Sequence, residues 1–151
     1  VIRRHQGSID KFLGDGIMAT FGAAPRTDAY AADAVRAVDE LLAVAADWQA
    51  ERAALGHPPL GINAALAVGP VIFGAVGDER RLEYTVIGEP VNLAAKLEKH
   101  NKTASVRALT TKNSYAQAQA QGYRPPAAKA ELPGSTIEGL TEPVDLIVLG
   151  D

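Results

Sequence analysis

The stretch YTVIGEPVNLAAK, Tyr84 to Lys96, runs from an apolar, β-branched segment into a Gly-Glu-Pro corner and then into helical spacing. Proline is tolerated at the first helical position, and an acidic residue there suits the positive end of the helix dipole, so Glu89 and Pro90 mark a helix start. Asn92 and Lys96 then fall four apart on one face, while Leu93 and Leu97 form the neighbouring apolar face. The unit is a strand, a corner and a half-buried helix whose amide and cation point away from its apolar side. An isolated pair of this kind is ordinarily a solvated face. What changes that reading is the rest of the chain.

Upstream, SIDKFLGDGIMATF (Ser8 to Phe21) places two strand-like runs around Gly-Asp-Gly, the composition of a tight hairpin, with Asp15 at or beside its tip. Asp28 to Leu55 is a predicted helix: Asp28 can cap it, and Ala31, Val35, Val38, Leu41, Leu42, Ala45 and Trp48 recur at helical spacing. Gly56 and Pro58-Pro59 end it. Gly61 to Val68 and Val71 to Val76 read as a second hairpin through Gly69-Pro70. The charged segment Asp78 to Arg81 is a turn before the strand Leu82 to Ile87, and Asn101 is placed to end the helix that follows. Then come a strand at Arg107 to Thr110, a helix at Lys112 to Gln121, an irregular stretch from Tyr123 to Thr136 and a closing strand at Val144 to Leu149. Hairpins with helices between them favour an α+β sandwich with its helices on one sheet face over a parallel doubly wound sheet.

The bulk properties narrow the function. With 151 residues and 15.8 kDa the chain is sized for one domain. A net charge of -3 gives no basic footprint, so neither nucleic acid nor an anionic membrane is an expected partner. The absence of cysteine excludes disulfides and thiolate zinc sites and is compatible with a cytoplasmic location. His5, His57 and His100 lack metal-ligand spacing and read as surface or incidental. The longest apolar run, Ala64 to Val76, is broken by Gly69, Pro70 and Gly74 and falls short of the roughly 18 residues of a membrane helix. The start at Val1, directly before a strand-like segment, is expected of a processed product or fragment, whose parent protein could be membrane-anchored.

Two stretches together, DKFLGDGIMATFG (Asp10 to Gly22) and GAVGDERRLEYTVIGEPVNLAAKLE (Gly74 to Glu98), closely resemble the catalytic domain of class III nucleotidyl cyclases, and the resemblance extends from about Gly7 to Leu149. It implies a ferredoxin-like α+β domain with an antiparallel or mixed sheet, forming a head-to-tail homodimer with the active sites in the interface. It also implies that residues 1–151 lack the domain's first strand and the helices after it. The family reaction is attack of the ribose 3′ oxygen of ATP on its own α-phosphorus, giving cyclic AMP and pyrophosphate. So crowded a phosphate centre needs metal ions and cations more than covalent help from the protein.

By resemblance, Asp15 matches one of two carboxylates that hold two magnesium or manganese ions. The other is expected outside this chain, and Asp10 is a poor substitute because on a paired strand it need not face the same side. Lys11 and Thr85 match the base-reading positions. Lysine only donates, so it suits adenine N1; the Thr85 hydroxyl could accept from the adenine amino group or donate to a guanine carbonyl, and alone it discriminates weakly. Asn92 matches the residue that orients ribose and phosphate, and Lys96 stands where an arginine binds the developing charge. Lysine lacks arginine's planar fork. Loss of one well-placed transition-state donor costs about 3 kcal/mol, part of which lysine could recover. Before the last strand the chain reads IEGLTEPVDL, where Glu138 and Leu140 supply no phosphate-binding cation, leaving Lys96, Lys11 or Arg124 to serve. The leading expectation is an adenylate cyclase, with a weakly active or inactive fragment. The alternatives are a degenerate cyclase domain acting as a nucleotide-binding or dimerisation module, and a guanylate cyclase.

Overall fold

The computed structural model describes residues 1–151, which run through a short 3₁₀ helix (Ile2–His5), β1 (Gly7–Leu13), β2 (Gly16–Phe21), α1 (Tyr30–Ala54), β3 (Ala64–Leu66), β4 (Ile72–Asp78), β5 (Arg81–Ile87), α2 (Glu89–Ala104), β6 (Ala108–Thr111), α3 (Lys112–Ala120), β7 (Glu131–Ser135) and β8 (Val144–Gly150). A four-stranded sheet in the order β3-β6-β8-β7 forms the centre, and the hairpins β1-β2 and β4-β5 stand apart from it. Within the central sheet β3 and β6 are parallel, and the other pairs are antiparallel.

This mixed α+β architecture is the expected class, but its helices are distributed over both faces of the sheet rather than one. Period-two alternation along β8 sends Ile147 and Leu149 to one side and Leu146 and Val148 to the other. The first side packs on Ala31, Ala32 and Val35 of α1 and on Tyr115 and Ala118 of α3. The second packs on Leu97 of α2, with Leu109 and Ile137. Leu97 is 0% exposed, so Leu97→Ala should cost about 2–5 kcal/mol through lost burial and the cavity left behind. Urea unfolding should show this as a lower midpoint at unchanged slope.

The expected hairpin between Gly61–Val68 and Val71–Val76 does not form. β3 pairs with β6, and β4 pairs with β5. Parallel neighbours need a long crossover, which the β4-β5 hairpin and α2 supply. Gly69-Pro70 instead crosses the start of α2: a Cβ on Gly69 would lie 2.7 Å from Pro90 Cγ, so only glycine permits this approach.

Two end signals also differ from expectation. Asp28 does not cap α1, whose N-cap is Ala29. The free amides of Ala31 and Ala32 donate to Gln121 Oε1, at 2.7 and 3.2 Å, so the side chain following α3 closes α1. The other end behaves as predicted. Gly56, at φ 71, lets Gly56 N donate to Ala53 O and His57 N to Arg52 O, the paired bonds of a Schellman turn.

Asn101 does not end α2; Ser105 does, in the left-handed conformation at φ 56. Asn101 is fully buried, and its Nδ2 donates to Ala64 O and Arg107 O, tying α2 to the strand ends of β3 and β6. The stretch after α3, expected to be irregular, contains β7, which gains order by pairing with β8. His5 is not incidental either. It bonds Glu40 Oε2 at 2.6 Å, and together with Arg4 it holds the Glu40 carboxyl below the usual range while fastening the first turn to α1.

Candidate active site

Hairpin geometry sets the first candidate. Leu13 pairs with Gly16, leaving Gly14 and Asp15 as a two-residue turn in which Gly14 has φ 66. Glycine at the first central position with positive φ is the arrangement whose twist matches the flanking strands. Asp15 is exposed there and makes no hydrogen bond or ion pair within the chain, so its carboxylate is free. No group of three or more His, Cys, Asp or Glu residues is placed to hold a metal ion. The residues present thus offer one free carboxylate and do not by themselves fit a two-metal centre.

Lys11 and Thr85 lie on different hairpins, and the structure brings them together through a residue that the sequence reading set aside. Thr85, 7% exposed, donates from Oγ1 to Asp10 Oδ2 at 2.8 Å. Lys11 Nζ lies 3.7 Å from the same Asp10 oxygen and 3.4 Å from Glu83 Oε2. The register of β1 on β2 slips by one between Ile9 and Lys11, so Asp10 is an extra residue in the ladder. Such a bulge re-aims side chains. It explains how Asp10 and Lys11, neighbours that a regular strand would send to opposite faces, both reach β5. Arg81 also bonds Glu83, and with Lys11 it holds that carboxyl below the usual range. Nothing in the spacing of the sequence signals the bulge.

Asn92 and Lys96 share a face of α2, as predicted, but are not joined to this cluster. Asn92 is exposed and makes no side-chain hydrogen bond. Lys96 Nζ donates to Gly139 O at 2.5 Å, in the turn before β8. Leu140, in the same turn, packs against the Leu97 side of the core. Arg124, a candidate cation, donates to Gln119 O and Tyr123 O and so caps the end of α3 instead. The charged turn forms as expected: Asp78 Oδ1 accepts from the amides of Arg80 and Arg81.

An apolar surface adjoins these residues. On the hairpins, Phe12, Ile72, Leu82 and Tyr84 are 72%, 74%, 64% and 72% exposed. Leu82 and Tyr84 are two apart on β5 and share a hairpin face with Phe73, whereas Ile72, paired with Ile87, lies on the other face. No helix is long and apolar enough to cross a membrane.

No family model matches the chain. It is 39% identical over 113 residues to an uncharacterized protein of Mycobacterium tuberculosis, covering 75% of this chain and 20% of that protein. It is 42% identical over 96 residues to one of Mycobacterium bovis, covering 64% and 16%. The chain thus spans a fifth or less of the length of these curated relatives, at 20% and 16%. Among solved structures it is similar to the guanylyl cyclase Cya2, with a TM-score of 0.75 and 25% identity over 97% of this chain and 71% of that one. The adenylyl cyclase CyaB from P. aeruginosa matches with a TM-score of 0.75 and 25% identity, over 97% and 72%. Aligned in this way over nearly its whole length, the chain has the fold of the class III adenylyl and guanylyl cyclase catalytic domains.

Proposed function

We propose that this chain is the catalytic domain of a class III adenylate cyclase, converting ATP to 3′,5′-cyclic AMP and pyrophosphate at the interface of a head-to-tail homodimer. The observation that carries this reading is the meeting of β1 with β5, where a donor-only lysine and a buried threonine hydroxyl converge on one carboxylate. These groups suit the Watson–Crick edge of adenine: Lys11 donates to N1 and Thr85 accepts from the amino group. In the reaction the 3′ hydroxyl passes its proton to solvent water as its oxygen bonds the α-phosphorus, and the bond from that phosphorus to the bridging oxygen breaks to release pyrophosphate. Asn92 orients the ribose and phosphate, and Lys96 neutralises charge developing on the phosphorus. Divalent magnesium or manganese, when bound, would lower the cost of that charge. Asp15 offers one carboxylate to such ions, and the further ligands come from outside these residues. The exposed Leu82 and Tyr84, which share one face of the β4-β5 hairpin, suit burial against a second copy. A cytoplasmic location is part of the same reading.

The test is cyclic AMP formation from ATP with manganese in the full-length protein, compared with Lys96→Arg. Lys96 gives one of its three donors to the Gly139 carbonyl and offers a phosphate only a compact point charge. Arginine should therefore raise kcat by about tenfold, part of the hundredfold or more that a well-placed donor supplies. The bond from Lys96 to Gly139 and the packing of Leu140 favour one second reading, a degenerate domain that binds nucleotide or a partner without turnover. A folded dimer that binds ATP yet stays silent, even as Lys96→Arg, would select it. Preference for GTP in competition would select a guanylate cyclase.

A further inference from the structure

We propose that Asp10 is a positioning residue that sets base specificity: by holding the Thr85 hydroxyl proton, it leaves Thr85 able only to accept, so the site takes adenine's amino group and rejects guanine's carbonyl. The inference rests on the reading that Lys11 and Thr85 face the base. A threonine hydroxyl has one proton and two lone pairs, and an aspartate carboxylate only accepts. With Thr85 Oγ1 2.8 Å from Asp10 Oδ2, the single proton is committed. The Asp10 side chain is 3% exposed, so water cannot readily replace Thr85 if that proton turns toward a ligand.

A guanine carbonyl would therefore meet lone pairs at Thr85, and the N1–H of guanine would meet the ammonium of Lys11. Adenine finds an acceptor and a donor at the same two positions. The ambiguity of an isolated threonine is thus removed by a neighbour that touches no substrate atom. The β1 bulge makes this possible, because it turns Asp10 toward Thr85 while Lys11, the next residue, still reaches β5 at Glu83.

The experiment measures dissociation constants for ATP and GTP in the full-length protein by displacement of a fluorescent ATP analogue, with the kcat/KM ratio for the two nucleotides alongside. Asp10→Asn keeps the shape, but its amide can donate to Thr85 and free the hydroxyl proton. The preference for ATP over GTP should fall by about tenfold. In a Thr85→Val background the same change should leave the ratio unmoved, since no hydroxyl remains to orient. Asp10→Ser, also uncharged, replaces the asparagine variant if that one does not fold. If Thr85→Val lowers the preference but neither Asp10 variant does, or if Asp10→Asn acts equally without the hydroxyl, the role of Asp10 is overturned while the base reading stands. If Thr85→Val has no effect, or neither nucleotide binds, the base reading itself falls and this inference falls with it.

Discussion

Asp15→Ala should reduce cyclic nucleotide formation by at least about a hundredfold in kcat while leaving the fold intact. The two halves of this expectation have separate physical grounds. Asp15 occupies the second position of the Gly14-Asp15 turn, is exposed, and makes no hydrogen bond within the chain. It is not among the residues of positive φ, so alanine meets no backbone strain there. Removing its carboxylate should therefore change stability by no more than about 0.5 kcal/mol. The same carboxylate is the one free anion on the hairpin beside the proposed site, and a triphosphate cannot approach such a surface without cations to share. An ordinary turn aspartate would lose neither stability nor rate. Thermal unfolding measured beside turnover with magnesium and with manganese separates the two cases, since only a functional carboxylate yields an intact protein with almost no product.

How far the sequence could be read depended on how far each signal travels along the chain. The Gly14-Asp15 hairpin, the Gly56 end of α1 and the Pro90 start of α2 are local: each depends on residues within about one turn of one another. Partners far apart in the chain were not legible. β3 carries the same apolar composition whether it turns back on β4 or crosses to β6, and only the packed structure chooses between them. Gln121 caps α1 across a large separation in sequence, and Asn101 spends its amide on two strand-end carbonyls rather than on a helix end.

The site divides in the same way. Lys11, Asp15, Thr85, Asn92 and Lys96 are proposed from motif spacing, which is written in the sequence. Their actual partners are not. The alternation rule set Asp10 aside, and one extra residue in β1 suspends that rule. The bond from Lys96 to Gly139 joins α2 to a turn whose position depends on β8 being in place. In both cases the sequence supplies the chemical groups, and non-local packing supplies the second group that decides what the first can do.

Mixing two inactive variants should restore activity if the site is assembled from two copies. Asp15 lies beyond the end of β1, in the turn, and no hydrogen bond or ion pair links it to the Asp10–Lys11–Thr85 cluster or to Asn92. In the proposed head-to-tail dimer, Asp15 acts from one subunit while Lys11, Thr85, Asn92 and Lys96 act from the other. Homodimers of Asp15→Ala or of Asn92→Ala then carry a defect in both sites, and each should fall by about a hundredfold or more. A mixed dimer concentrates both defects in one site and leaves the other intact. Random exchange at equal concentrations makes about half of the dimers mixed, each with one of two sites whole, so about a quarter of wild-type activity should return. Were all five residues to serve one site within a single chain, no mixture would rise above its components. Varying the ratio of the two purified variants at constant total concentration while cyclic AMP is measured therefore reports directly on the division of the site, and the activity should peak near that quarter when the two are equimolar.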